Sequence, residues 1–424
     1  MCKDKYAAFG SLLVTTLAIL LMVPAAWGQT FKVLHSFGAS GDGQWAEGGV
    51  VMDGQGNLYG VTEIGPPGDG CLGNGGCGTV YQLKPHSDGT WTESVIHAFN
   101  GSDSAFPFAS PILDSQGNLY GTADGHAGAG TYPEIVYQLT PNSDGTWTES
   151  ILHQFPISQD DGPGAVTLDP AGNVYGVANG GGVNGTGYIY KLNRATGWQE
   201  QYLVYFDPHY PYLDGLSAQG PITLDGNGNL YGAMILGGTR NCGVAYELSN
   251  QGSFLWKETV LHNFACEADG FYPIGATFGP DGSLYGVTQI GGDAGSIACG
   301  CGTVFKLTPN SDGTWTKTTL YTFRGGPDDG AYPVNGLVFD RAGNIYSTTD
   351  GGGNRNCTGG CGIVFKLTPS SGGQYSESVL HFFTGGLDGA NPISTMAIDG
   401  AGNLYGATYR GGAYGDGVAF EITP

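Results

Sequence analysis

The sequence predicts an all-β chain closed into a seven-bladed β-propeller with four-stranded blades, and three observations carry that prediction. The motif Gly-Asn-Leu-Tyr-Gly, or a near relative, recurs with its tyrosine at Tyr59, Tyr120, Tyr175, Tyr231, Tyr285, Tyr346 and Tyr405, about 58 residues apart. Four short strand signals accompany each copy. The chain ends on the third strand of the last copy, whereas an isolated fourth strand precedes the first. One missing and one spare strand fit a ring whose last blade is closed by the N-terminal strand; an open solenoid would need capping repeats. Closure also leaves only short, protected sheet edges.

The elements follow in order within each copy. An apolar run ending in Asp, such as Leu337-Val338-Phe339-Asp340, leads through a Gly-Asn turn into Ile345-Tyr346, a hairpin of strands A and B. Strand C follows a Gly-rich loop, as in Gly302-Thr303-Val304-Phe305-Lys306-Leu307. After an Asp-Gly turn, strand D opens on Trp and closes on Phe with constant spacing, from Trp91 and Phe99 through Trp315 and Phe323, and from Tyr375 to Phe383. One hairpin register imposes such constancy. The final strand C is Phe420-Glu421-Ile422-Thr423-Pro424, and the spare strand D is Phe31 to Phe37. Residues 29–424 therefore read as a single propeller domain. Residues 1–28 read as a cleaved export signal: Lys3 and Lys5, an apolar core from Leu12 to Val23, and Ala26-Trp27-Gly28 at the cleavage site. That core is shorter than the roughly 20 residues of a membrane span.

A formal net charge of −22 argues against nucleic acid or an anionic membrane as partner and favours solubility and cation binding. The 78 glycines and a charged fraction of 12% point to dense turns and away from a helical enzyme.

The run Gly-Asn-Leu-Tyr-Gly, then Gly-Thr-Val-Phe-Lys-Leu-Thr-Pro, then Leu-His-x-Phe resembles the bacterial tandem repeat called GloVer, found in exported "choice-of-anchor" proteins. The resemblance covers essentially the whole of residues 29–424 and implies an exported repeat protein. It brings no established catalytic residues, and no anchor or sorting segment is expected after Pro424.

Eight cysteines follow the signal. Cys77, Cys242, Cys301 and Cys361 immediately precede the Gly that opens strand C, and Cys71, Cys299 and Cys357 stand upstream in three of the same loops. In an exported chain these read as disulfides clamping the long loops, rather than as zinc ligands. Cys242 has no neighbour in its loop, but Cys266 lies just past strand D of the same blade, beside the start of strand C. A bridge between Cys299 and Cys301, only two apart, would be strained, so that pairing stays open.

His35, His97, His153, His262 and His381 share one repeat position, so the ring sends them to five separate places, where packing or a local hydrogen bond is expected. The same reasoning sets aside the recurring Glu93, Glu149, Glu258 and Glu377 as paired catalytic carboxylates. The turn Asn142-Ser143-Asp144-Gly145-Thr146-Trp147 reads as a hairpin turn, because an Asp-box spaces its Ser, Asp and Gly differently.

A recurring acid marks the passage from strand D to the next strand A: Asp42, Asp103, Asp161, Asp214, Asp269, Asp329 and Asp388, with aromatics after it at Trp45, Phe106, Tyr272 and Tyr332. Each Asp either caps its own turn, with the aromatic packed between blades, or joins a ring of carboxylates and exposed rings near one mouth of the channel. Such a face suits a glycan or cell-envelope component, with bound Ca²⁺ where the glycan is anionic; the EF-hand spacing of alternating Asp is absent. Three functions compete: a non-catalytic extracellular binding or scaffold propeller, a polysaccharide- or small-molecule-cleaving lyase or hydrolase, and a purely structural envelope component. Catalysis would break the repeat symmetry, which singles out Glu63, His126, His209, Arg240 and Arg355 on the loops. Any ligand is expected on the side that carries the D-to-A passages and the B-to-C loops.

Overall fold

The computed structural model describes residues 29–66, 71, 76–125, 132–156, 162–183, 185–206, 216–218, 220–252, 255–292, 300–334 and 336–424. Seven four-stranded antiparallel blades stand in a ring, making a seven-bladed β-propeller. In blade 1 the strands are A (Val51–Met52), B (Leu58–Thr62), C (Thr79–Pro85) and D (Trp91–Ala98). In blades 4 and 6 strand A is interrupted, as Leu216–Ala218 with Thr223–Leu224 and Gly330–Pro333 with Val338–Phe339. Blade 7 takes its strand D from the N-terminus: Thr30–Ser36 runs antiparallel to Val418–Thr423, with Thr30 opposite Thr423. The expected signal, residues 1–28, lies outside the described residues. Among the described residues no helix is long and apolar enough to cross a membrane.

The A–B hairpin explains most of the recurring motif. Asp53 Oδ1 accepts the N–H groups of Gln55 and Asn57, both at 2.9 Å, while its Oδ2 accepts from Asn57 Nδ2 at 2.7 Å and from the Tyr59 hydroxyl at 3.0 Å. Gly56 between them has φ 85°, a conformation that disfavours side chains. Asp, Asn and Tyr repeat this arrangement at Asp114, Asp169, Asp225, Asp340 and Asp399. Blade 5 has Gly279 at the start of the turn, and Asp281 from within it takes over, accepting the Tyr285 hydroxyl at 3.1 Å.

Strands B and C are buried on both faces, and the Gly after the motif tyrosine makes room for a ring from strand C. A Cβ at Gly176 would overlap the Tyr190 hydroxyl, and the same holds for Gly60 under Tyr81 and Gly121 under Tyr137. Between blades, the Phe that ends strand D packs on the strand C ring of the next blade. Phe99 lies 5.4 Å from Tyr137, Phe155 5.3 Å from Tyr190 and Phe323 5.1 Å from Phe365. The core is thus a set of inter-blade layers.

Every strand D carries a β-bulge at one apolar residue: Leu34, Ile96, Leu152, Leu203, Leu261, Leu320 and Leu380. In blade 1 Val95 pairs with Tyr81 and His97 pairs with the adjacent Val80. Adjacent residues of a strand face opposite ways, so the extra Ile96 turns His97 to the face opposite Val95 and Glu93. Strand D therefore offers Glu to the preceding blade and His to the following one.

Candidate functional site

At the rim, this rotation brings His35, His97, His262 and His381 beside the Asp of the following passage. His35 Nε2 lies 2.8 Å from Asp42, His262 3.0 Å from Asp269 and His381 3.1 Å from Asp388; in blade 5 the Tyr321 hydroxyl donates to Asp329 at 3.1 Å. Each of the five described Asp residues also caps its turn. Asp42 accepts the N–H of Gly43 at 2.7 Å, Asp103 that of Asn100 at 2.9 Å, and Asp329 that of Arg324 at 2.8 Å. Burial works against the charge of Asp269, but hydrogen bonds from His262 and Lys317 hold its carboxyl well below the usual range. The acids turn back toward strand D, with Asp42 and Asp329 buried, and they hold adjacent blades together instead of opening onto the axis. Asp161 and Asp214 lie outside the described residues.

The aromatics behind these acids serve the backbone. Trp45, Phe106, Tyr272 and Tyr332 have φ of 59°, 58°, 56° and 59°. In that left-handed conformation the N–H of Phe106 donates to Cys77 O at 2.7 Å and that of Tyr332 to Cys301 O at 2.9 Å, while Phe106 O accepts the N–H of Asp124 at 3.3 Å. One residue thereby ties the preceding blade's strand C loop to its own blade's strand B. The expectation of exposed rings is corrected here: Phe106 is 7% exposed, and the other three are half-buried.

Three disulfides clamp the loops as expected, Cys71 with Cys77, Cys242 with Cys266 and Cys357 with Cys361, at Cα separations of 5.3, 5.4 and 5.0 Å. Cys299 lies outside the described residues, so its pairing with Cys301 is not described.

The groups that break the repeat lie nearer the axis. The residue four after the motif tyrosine takes six identities in seven blades, with Asp the one that recurs: Glu63, Asp124, Asn179, Ile235, Gln289, Asp350 and Tyr409. Together with Glu47, three of them, Asn179, Gln289 and Asp350, line a cavity of about 480 Å³ on the D-to-A side, to which all seven blades contribute. Phe108, Ile274, Val334 and Ile393 supply its apolar wall. Deeper along the axis a second cavity of about 480 Å³ is walled by side chains in and just before the A strands, among them Val50, Met52, Ile112, Val166 and Met396.

The polar mouth is electrostatically uneven. Burial, then the charge of Glu63 and a hydrogen bond to it, push Glu47 up to about 8. The Tyr409 hydroxyl donates to Glu63 Oε2 at 3.3 Å, and its ring lies 5.6 Å from Trp45 and under Arg410. Burial raises Asp350 as well, against a hydrogen bond from Asn391 and the charge of Arg410. Of the non-repeated candidates read from sequence that lie among the described residues, Glu63, Arg240 and Arg355, Glu63 alone is placed at this mouth. Arg240 donates to Ala265 O at 3.3 Å on the exposed surface, Arg355 is exposed on a loop, and His126 and His209 lie outside the described residues. The other side of the ring also has a concavity, a groove of about 970 Å³ between blades 1 and 2 with Asp53, Tyr59, Gln82, Asp114 and Trp147 in its walls.

Solved structures with this fold include a chain described as the extracellular domain of a one-component system from B. thetaiotaomicron, 11% identical, with a TM-score of 0.52 over 93% of this chain. This chain spans 41% of that one's length. A luciferin-regenerating enzyme is 14% identical with a TM-score of 0.43, covering 94% of this chain and 96% of its own. A Dyadobacter fermentans protein of unknown function is 14% identical with a TM-score of 0.44, covering 82% of this chain and 97% of its own. No curated protein matches. The family model described as the Gloeobacter/Verrucomicrobia repeat matches residues 125–359, more than half of the chain, and the repeats, blades and disulfides laid out above agree with it: the protein belongs to the Gloeobacter/Verrucomicrobia repeat family.

Proposed function

We propose that the protein is a non-catalytic extracellular binding propeller that takes the end of a neutral, polyhydroxylated ligand, a glycan chain, into the axial cavity on the D-to-A side. The observation that carries this reading is the repeat position four after the motif tyrosine, which takes six residue types in seven blades while the motif before it is repeated. Variation confined to the mouth of a rigid scaffold is where a binding site is expected. The acceptors and amides of Glu47, Asn179, Gln289 and Asp350 suit hydroxyl groups, and Phe108, Ile274, Val334 and Ile393 suit the apolar faces of sugar rings. The strong net negative charge works against polyanions unless a cation such as Ca²⁺ bridges them. The disulfides fit an oxidising, exported location.

The Glu47 and Glu63 pair is the observation that favours a second reading, a hydrolase or lyase, because a carboxyl that keeps its proton near neutral pH suits a general acid. A glycan array probed with and without Ca²⁺, using the full chain and its Asp350→Ala and Asn179→Ala variants, separates the readings. A bound glycan recovered intact, with binding weakened by both variants, supports the first. A recovered product shorter than the probe supports the second. Binding that survives both variants and is lost in Trp147→Ala, in the groove on the other side, would overturn the axial placement.

A further inference from the structure

We propose that the interface between blades 1 and 2 is a binding site for a divalent cation of the zinc class, built from His97 and Asp103 of blade 1 and Glu149 of blade 2. The three donor atoms lie within 4.8 Å of one another. His97 Nε2 is 3.5 Å from Asp103 Oδ2 and 3.6 Å from Glu149 Oε1, long for hydrogen bonds. Those separations are close to the edge of roughly 3.4 Å of a tetrahedron with bonds of about 2.0–2.1 Å, the geometry of zinc with imidazole and carboxylate. His97 Nε2 and Glu149 Oε1 are shut off from solvent and have no hydrogen-bond partner among the described residues. Buried polar atoms left in that state are costly unless something fills the space between them. One neutral imidazole and two carboxylates balance a charge of +2. A nitrogen donor favours zinc and its neighbours over calcium, which takes oxygen.

The other interfaces of the same ring serve as comparisons. Between blades 7 and 1, 4 and 5, and 6 and 7 the His pairs directly with its Asp, at 2.8, 3.0 and 3.1 Å. In blade 5 the residue opposite Leu307, where Glu stands in blades 1 and 2, is Lys317. Its ammonium, 6% exposed, lies 2.7 Å from Asp269 Oδ1, so the fold itself places a cation there. In blade 7 the equivalent residue is Phe31, stacked 3.8 Å over His381. Between blades 2 and 3 His153 is 3.6 Å from Glu200, and the corresponding Asp161 lies outside the described residues. Among the described interfaces, the one between blades 1 and 2 joins all three donors with a His nitrogen that has no internal partner. The site is at the rim and stands apart from the axial cavity, so its failure would leave the glycan reading untouched.

The test uses the full chain, stripped of metal by a chelator and titrated with Zn²⁺ alone, with bound metal counted by mass spectrometry after desalting. One zinc per chain is expected, with an X-ray absorption signature of a single imidazole and a raised melting temperature. His97→Gln and Glu149→Gln should each weaken binding at least roughly 100-fold. His262→Gln, at an interface already supplied with Lys317, should leave it unchanged. Absence of bound zinc in the stripped wild type at about 100 µM metal, far above the range of structural zinc sites, would overturn the proposal. So would binding by both ligand variants equal to that of wild type.

Discussion

A residue in this ring is chosen largely by what stands directly over it in the same blade. Gly176 and Tyr190 make the point: the ring occupies the space a Cβ would need, and the Tyr190 hydroxyl makes no hydrogen bond among the described residues. Gly176→Ala should therefore cost about 1–3 kcal/mol through overpacking. Adding Tyr190→Phe should recover part of that loss, because blade 6 already combines a side chain, Ser347, with Phe365 at the equivalent pair. Chemical denaturation of the single and double variants measures both effects, and a double variant no more stable than Gly176→Ala would contradict the account. At the axial mouth Glu47, beside Glu63 and Tyr409 and lining one cavity with Asp350, gives a pH prediction. Its pKa is raised to about 8 in the folded protein, so between the unfolded value and that one the folded state holds a proton the unfolded chain has released. Stability then falls as pH rises through this window, by at most about 1.4 kcal/mol per pH unit. Glu47→Gln should flatten that slope in melting curves taken between pH 5 and 8, and parallel slopes for variant and wild type would remove Glu47 from the explanation.

The strand order within a blade and the three disulfides were legible in the sequence because nearby residues carry them: an Asp-Gly or Gly-Asn turn, a Cys beside the Gly that opens strand C. The closing strand, which pairs Thr30 with Thr423, was legible instead from the count of strand signals, one spare at the start and one missing at the end. The bulge was not. Leu152 reads as one more apolar residue in an alternating strand, and only the pairing of Val136 with His153 beside that of Tyr137 with Ile151 reveals it. Without the bulge, the meeting of His97 with Glu149 from the next blade has no visible cause. The axial ring was missed for a different reason. A signal existed, the variability four positions after each motif tyrosine, but Ile235 and Tyr409 stand among the acids and amides and hide a polar pattern. Trp45 and Phe106 stood open between packing and a ligand face because their left-handed backbone leaves no trace in residue type. Among the loops the disulfides give the sharpest prediction. By loop-closure entropy, the bridge between Cys242 and Cys266, 24 residues apart, should contribute about 3 kcal/mol, and that between Cys357 and Cys361, 4 apart, about 2. Paired Ser substitutions followed by thermal unfolding should rank them in that order, and equal losses would mean that strain or residual unfolded structure decides instead.

At the scale of the whole molecule the ring closes at one blade, where the first and last described strands pair. Six blades are made from continuous stretches, whereas blade 7 borrows Thr30–Ser36 to complete a sheet that otherwise ends at Val418–Thr423. That borrowed strand has work on both sides. Phe31 stacks on His381 of blade 6, Phe37 packs 4.8 Å from Tyr81 of blade 1, and His35 engages the buried Asp42. Deleting residues 29–38 would therefore remove the ladder of blade 7 and strip two neighbouring interfaces together. It would also leave Val418–Thr423 as an exposed edge open to pairing with another chain. Because each blade is stabilised mainly by its neighbours, such a break should lower the unfolding temperature of the entire ring in one transition and promote association at micromolar concentration. Calorimetry with light scattering on the deletion variant tests both. An unchanged transition temperature in a monomeric product would show that blade 7 holds without its closing strand, and that six continuous blades suffice to keep the ring.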